Sequence, residues 1–136
     1  MQNTQKNKLP NLCEVNICII GLGYVGLPLA IEFSKIKKCI RTNKVLNRKI
    51  IGFDLNKKRV EELRSGIDST GELNEEDKKE LRSINFCYNS NQSIDADVFI
   101  ISVPTPIDNE HNPDLSFLKH ATELAGKFIK KRDRAS

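Results

Sequence analysis

In the stretch IIGLGYVGLP, Gly21, Gly23 and Gly26 crowd together directly after an apolar run. Each has a separate use if a strand gives way to a helix here. Gly21 permits the tight turn out of the strand, Gly23 lets the main chain approach a pyrophosphate with no Cβ between, and Gly26 lets the helix lie close on the sheet. Free N–H groups and the dipole at that helix start then favour a phosphate. A second apolar run, IIGF, ends at Asp54, whose carboxylate can accept hydrogen bonds from both hydroxyls of an adenosine ribose. A carboxylate there also repels a 2′-phosphate, so the pattern suits NAD rather than NADP. No Gly-Lys-Ser/Thr sequence is present, which excludes a triphosphate P-loop.

For these residues to meet, strand, turn and helix must follow one another more than once. Residues 16–20 (NICII) read as a short buried strand. From Tyr24 the spacing turns helical, with Val25, Leu29, Phe33 and Ile36 on one side and Pro28 near the first turn, where a missing N–H costs least. In residues 50–66 a strand ends at Asp54 and a helix from about Lys57 stops before Gly66, a natural C-cap. Asn74 can cap a further helix opening on Glu75, Glu76 and Asp77, with Lys79 one turn after Glu75 as a weak ion pair. Residues 84–87 read as a third strand and Val98–Val103 as a fourth, ended by Pro104 and Pro106. Asp114 or Ser116 opens a last helix in which Leu118, Ala121, Leu124, Ala125 and Phe128 share a face. This alternation predicts the α/β class: a Rossmann-type doubly wound parallel sheet, with right-handed crossovers giving the strand order 3-2-1-4.

A chain of 136 residues has room for one domain with a core of its own. Hydrophobic residues at 38% and charged residues at 29% suit an ordinary globular protein, and no apolar run approaches the ~18 residues of a membrane span. Residues 1–14 are polar, lack the apolar centre of a signal peptide and read as a disordered leader. Residues 15–130 form the expected domain and 131–136 a basic tail, with the cytoplasm as the expected compartment. Cys13, Cys18, Cys39 and Cys87 stand at irregular separations, with no Cys-x-x-Cys pair and neither His111 nor His120 close enough to suggest metal ligands. Reduced, structural thiols are expected. The net charge is +4, and the segment Lys35–Lys49 carries many basic residues and no acid. Without interleaved aromatic residues it reads as a solvated loop rather than a nucleic-acid surface. It also lengthens the path from Gly26 to Asp54 beyond the ~20 residues usual for the fingerprint, as an insertion between first helix and second strand.

Three motifs add a resemblance: GLGYVGLPLA at 21–30, GFDLNKKRVEELRSG at 52–66, and SVPTPID at 102–108 followed by PDLS at 113–116. Together they resemble the nucleotide-sugar 6-dehydrogenases, the UDP-glucose/GDP-mannose dehydrogenase family, over almost all of residues 15–128. The VPTP form, where UDP-glucose enzymes usually show a Gly-Thr-Pro variant, is more similar to the branch acting on UDP-N-acetylhexosamines. Members of the family use two NAD molecules in succession to convert the C6 alcohol of a nucleotide sugar to a carboxylate, and their N-terminal domain binds NAD. The resemblance implies that Val25 and the neighbouring turn, with Leu22 and Tyr24, contact the pyrophosphate. It likewise implies Asp54 at the ribose, Arg59 on the adenosine side, and Thr105 on the nicotinamide side with Val103 and Pro104 beside it.

No catalytic residue carries over. The final GKFIKKRDRAS stops where the family's next strand is expected, and the family's glutamate, nucleophilic cysteine and lysine match no position. Cys18, inside the first strand, is expected to be buried and unreactive. The expectation is therefore an NAD-binding domain truncated after about four strands, binding NAD weakly and oxidising no UDP-sugar unless the missing half is supplied. The strand from Val98 then becomes a sheet edge open to self-association. Two alternatives stand beside this: a stand-alone nucleotide-binding regulatory module, and a basic nucleic-acid-binding protein whose affinity collapses with salt.

Overall fold

Short β-branched runs bounded by glycine or polar residues become the strands, and the segments of helical spacing between them become the crossovers. The computed structural model describes residues 9–11 and 13–135, with side chains up to residue 132. Most of the expected leader and the last residue of the expected tail lie outside these. The elements are β1 (Ile17–Ile20), α1 (Gly26–Lys35), β2 (Ile50–Phe53), α2 (Lys57–Arg64), α3 (Glu75–Glu80), β3 (Ile84–Cys87), β4 (Val98–Ile101) and α4 (Ser116–Ala135). All strand pairings are parallel and the order is β3-β2-β1-β4, as the alternation of strands and helices predicts.

The two-residue period of the strands divides the core. Ile17 and Ile19 of β1 pack with Leu27, Ala30 and Ile31 of α1 and with Val60 and Leu63 of α2. Cys18 and Ile20 turn to the other face, under Ala121, Leu124, Ala125 and Phe128 of α4. There Phe128, fully buried, meets Phe53 edge-on at 5.2 Å and stacks on Phe99 at 6.1 Å. Both faces of the sheet are thus covered, and the carboxyl ends of the central strands open on one side.

Local signals place the helix ends well. The Asn56 side chain accepts from the Arg59 N–H and that of Asn74 from the Asp77 N–H, capping α2 and α3. Gly66, at φ +76°, ends α2 in the left-handed region. Other details differ. The inward face of α1 is Gly26, Leu27, Ala30, Ile31 and Ser34, not Val25, Leu29, Phe33 and Ile36. The rotation follows from Gly26, where a Cβ would stand 1.7 Å from the Gly21 carbonyl oxygen, so this side of the helix must face inward. Leu29 and Phe33 pack only at its flank. Strand β4 stops at Ile101. Ser102 N–H still donates to Ile20 O, but the chain then leaves the ladder ahead of Pro104, which has no N–H to give. Glu75 pairs with Lys78 rather than Lys79, Leu118 stays 38% exposed, and α4 continues through residues 131–135.

The basic segment folds back on itself through an antiparallel bridge between Lys38 and Val45 and a hydrogen bond from Cys39 N–H to Lys44 O. It joins the end of α1 to the start of β2, so it sits at the amino ends of the strands, opposite the open side.

Candidate dinucleotide-binding site

At the carboxyl ends of β1, β2 and β4 the structure holds a cleft of about 620 Å³, a size that suits a small-molecule ligand. One wall is the turn Gly21–Val25 between β1 and α1. A second is Phe53, Asp54, Leu55 and Asn56 after β2, a third Ser102, Val103 and Pro104 after β4, and the fourth Phe117, His120, Ala121 and Leu124 on the first turns of α4.

The turn owes its shape to two glycines and its openness to the third. Gly21 sits at φ +100° with its Cβ position 2.0 Å from Ser102 O, so no side chain is tolerated. Gly26 is equally closed. Around Gly23 a Cβ would meet nothing within 4 Å, so the main chain there presents bare backbone to the cleft. At the helix start Val25 supplies no side-chain cap and the first turn of α1 carries no acid. Leu27 N–H donates to Gly23 O at 3.2 Å and Pro28 has no N–H, which leaves the amides of residues 23–26 to be met by an anion. The residues present therefore fit a pyrophosphate.

Asp54 faces the same turn. Its Oδ2 accepts from Leu22 N–H and its Oδ1 from Asn56 N–H, both at 2.9 Å. A carboxylate offers about four lone-pair sites, so two remain for ribose hydroxyls. Of the residues singled out in the sequence, Gly21, Leu22, Gly23, Tyr24, Val25, Asp54, Val103 and Pro104 line the cleft, and Gly26 supports the turn from behind. The cleft wall does not include Arg59 or Thr105. Thr105 is exposed on the loop beyond β4. Arg59 is buried behind the turn, its Nε donating to Leu22 O at 3.2 Å and its Nη1 to Asp68 Oδ1 at 2.7 Å.

The α4 wall is what sequence reasoning missed. Phe117, His120, Ala121 and Leu124 follow helical spacing, and a helix returning from the end of β4 must begin over the carboxyl edge. That stripe was the available signal. No cysteine lines the cleft: all four thiols are free, and Cys18 and Cys87 are buried. Burial pushes the Cys18 thiol well above its ordinary range and that of Cys87 up to about 11. Among the described residues no cluster of His, Cys, Asp or Glu is arranged to hold a metal ion, and no helix is long and apolar enough to cross a membrane.

Residues 15–134 match the family model described as "UDP-glucose/GDP-mannose dehydrogenase family, NAD binding domain". The chain is 43% identical over 120 residues to the UDP-N-acetyl-D-glucosamine 6-dehydrogenase of Pseudomonas aeruginosa, covering 88% of this chain and 26% of that protein. It is 43% identical over 116 residues to Protein CapL of Staphylococcus aureus, covering 84% of this chain and 24% of the relative. Among solved structures, a UDP-D-ManNAc dehydrogenase of Pyrococcus horikoshii superposes with a TM-score of 0.66 at 25% identity, over 83% of this chain and 25% of that one. The chain thus spans about a quarter of the length of these relatives. With a glycine turn, an acidic second strand end and a family model that covers nearly the whole sheet and its helices, the chain belongs to the UDP-glucose/GDP-mannose dehydrogenase family, whose NAD-binding domain it carries.

Proposed function

We propose that the chain holds NAD for a UDP-N-acetylhexosamine 6-dehydrogenase, with the pyrophosphate on the turn Gly21–Val25 and the adenosine ribose against Asp54. The observation that carries the placement is the meeting, in one cleft, of unobstructed backbone at Gly23 and a carboxylate with two acceptor positions left. The sugar class is taken from relatives such as the UDP-N-acetyl-D-glucosamine 6-dehydrogenase at 43% identity.

When bound, NAD supplies a hydride acceptor. This chain's part is to bind and orient it. The turn amides take the phosphate charge, Asp54 fixes the ribose and rejects a 2′-phosphate, and the apolar side chains of Phe117 and Leu124 keep water from the α4 wall. Thr105, with Val103 and Pro104, belongs to the nicotinamide side in this reading, and Arg59 to the adenosine side. Among the described residues no cysteine or lysine lines the cleft; in this reading the groups that oxidise the sugar come from elsewhere, and a UDP-sugar is a partner only when they are supplied. The reading places the chain in the cytoplasm and allows self-association along β4, an outer strand of the described sheet with Val98 39% exposed.

Titration of the 136-residue chain with NAD and NADP, followed by amide NMR, tests the placement. Weak NAD binding that shifts the amides of residues 21–25, with NADP weaker still, is expected. Equal binding of the two would remove Asp54 from the ribose. Incubation with NAD and UDP-N-acetylglucosamine is expected to yield no NADH, and turnover would show that the catalytic groups lie in this chain after all.

A further inference from the structure

We infer that Asp68, which lies outside the cleft wall, is a positioning residue for the phosphate-binding turn, acting through Arg59; the inference rests on the pyrophosphate placement above. Leu22 stands between Gly21 and Gly23, where the backbone has the most freedom to lose. Its peptide groups are held from both sides. The N–H donates to Asp54 Oδ2 at 2.9 Å, and the carbonyl accepts from Arg59 Nε at 3.2 Å. The residue that reads the ribose and the residue behind the turn therefore grip the same leucine.

Arg59 does not hold its place alone. Its Nη1 donates to Asp68 Oδ1 at 2.7 Å while its Nη2 is buried with no partner, so two bonds set the plane of the guanidinium. The Asp68 side chain is fully buried and that of Arg59 only 10% exposed. Asp68 is itself fixed by its own loop: Oδ1 also accepts from the Thr70 N–H and hydroxyl, and Oδ2 from the Glu72 and Leu73 N–H groups. A carboxylate anchored by a rigid loop thus aims a cation, and the cation pins the carbonyl between two glycines. Without Asp68, Arg59 is an unpaired buried charge; it turns toward water and releases Leu22. The turn then has to be ordered by the ligand, at a cost in affinity.

ADP, which carries the adenosine ribose and the pyrophosphate, is the probe, titrated into the wild-type chain and into Asp68→Asn, Arg59→Lys and Val60→Ala. Val60 is a fully buried core residue of α2 in the same apolar cluster as Leu22, but its side chain makes no hydrogen bond to the turn, so Val60→Ala loosens the same helix and packing without removing the strut. Asp68→Asn and Arg59→Lys are expected to weaken ADP about tenfold, the equivalent of one lost hydrogen bond, and to broaden the Leu22 and Gly23 amide signals. Val60→Ala is expected to leave ADP binding nearly unchanged although it also lowers stability. Equal ADP affinity across the three variants would overturn the inference, as would failure of both strut variants to fold, which would make the pair a fold element only. If the wild-type chain itself binds no ADP, the pyrophosphate placement fails and takes this inference with it.

Discussion

Two glycines of the same turn separate stability from binding. At Gly26 a Cβ would lie 1.7 Å from Gly21 O and 3.3 Å from the Ser102 Cβ. The carbonyl cannot simply retreat. Gly21 N–H donates to Phe53 O at 2.8 Å, Ser102 N–H to Ile20 O at 2.8 Å, and the Gly21 Cβ position is already 2.0 Å from Ser102 O. Gly26→Ala must therefore push the turn away from the sheet. Overpacking costs typically 1–3 kcal/mol and a strained or lost hydrogen bond about 1 kcal/mol more, for a total of about 3 kcal/mol. With a urea dependence of about 2 kcal/mol per molar, the denaturation midpoint falls by about 1.5 M. At Gly23 the Cβ meets nothing within 4 Å, and the residue is not among those with positive φ. Gly23→Ala is expected to change stability by less than about 1 kcal/mol, with the smaller unfolded-state entropy in its favour. Its methyl instead occupies the space given to the pyrophosphate, and NAD affinity drops. Urea denaturation and NAD titration of both variants check this. A Gly26→Ala chain as stable as wild type, or a Gly23→Ala chain that binds NAD unchanged, would refute the geometry assigned to the turn.

Further outcomes follow from burial and charge. Burial pushes the Asp68 carboxyl up, but the hydrogen bonds from Thr70 and Arg59 outweigh it and hold the group down at about 2. Because the folded value is depressed, its contribution is complete above pH ~4 and is lost as pH falls through ~2. Urea midpoints of the wild-type chain should drop across that window, and Asp68→Asn should remove this part of the drop. Hydrogen bonds from the Thr42 side chain, then from the Thr42 and Arg41 backbone, lower the Cys39 thiol, while burial raises Cys18 and Cys87. A disulfide reagent at neutral pH should thus label Cys39 well before Cys18 or Cys87, which wait for unfolding; simultaneous labelling would contradict the core assignment. Phe128→Ala empties the contact with Phe53 and Phe99 and should cost about 3–5 kcal/mol in denaturation.

The sheet order and the glycine turn were legible because their signals are local. Apolar runs of strand length, asparagine caps and the glycines that follow β1 and α2 are read within a few residues. What was not legible depended on contacts between distant residues. The rotation of α1 is decided by Gly26 against the Gly21 carbonyl, and on spacing alone Val25, Leu29, Phe33 and Ile36 compete well with Leu27, Ala30, Ile31 and Ser34. The α4 wall of the cleft is an apolar stripe beside the core stripe of the same helix, and only the position of β4 shows which one overhangs the opening.

Arg59 is the sharpest case. An arginine just beyond a strand end can reach the ligand or the turn that holds the ligand, and distance along the chain does not distinguish the two. Asp68 makes the difference. Its carboxylate is fully buried, and a buried charge must be neutralised or it protonates. Arg59 is the cation that meets it, at 2.7 Å, so the guanidinium is drawn inward and spends its Nε on Leu22 O. In the sequence, Asp68 is one acid in the unremarkable loop IDSTGEL, with nothing to say that it is buried. The pairing is visible only once the loop folds over α2, and it makes Arg59 a support for the turn beside the place proposed for it on the adenosine side.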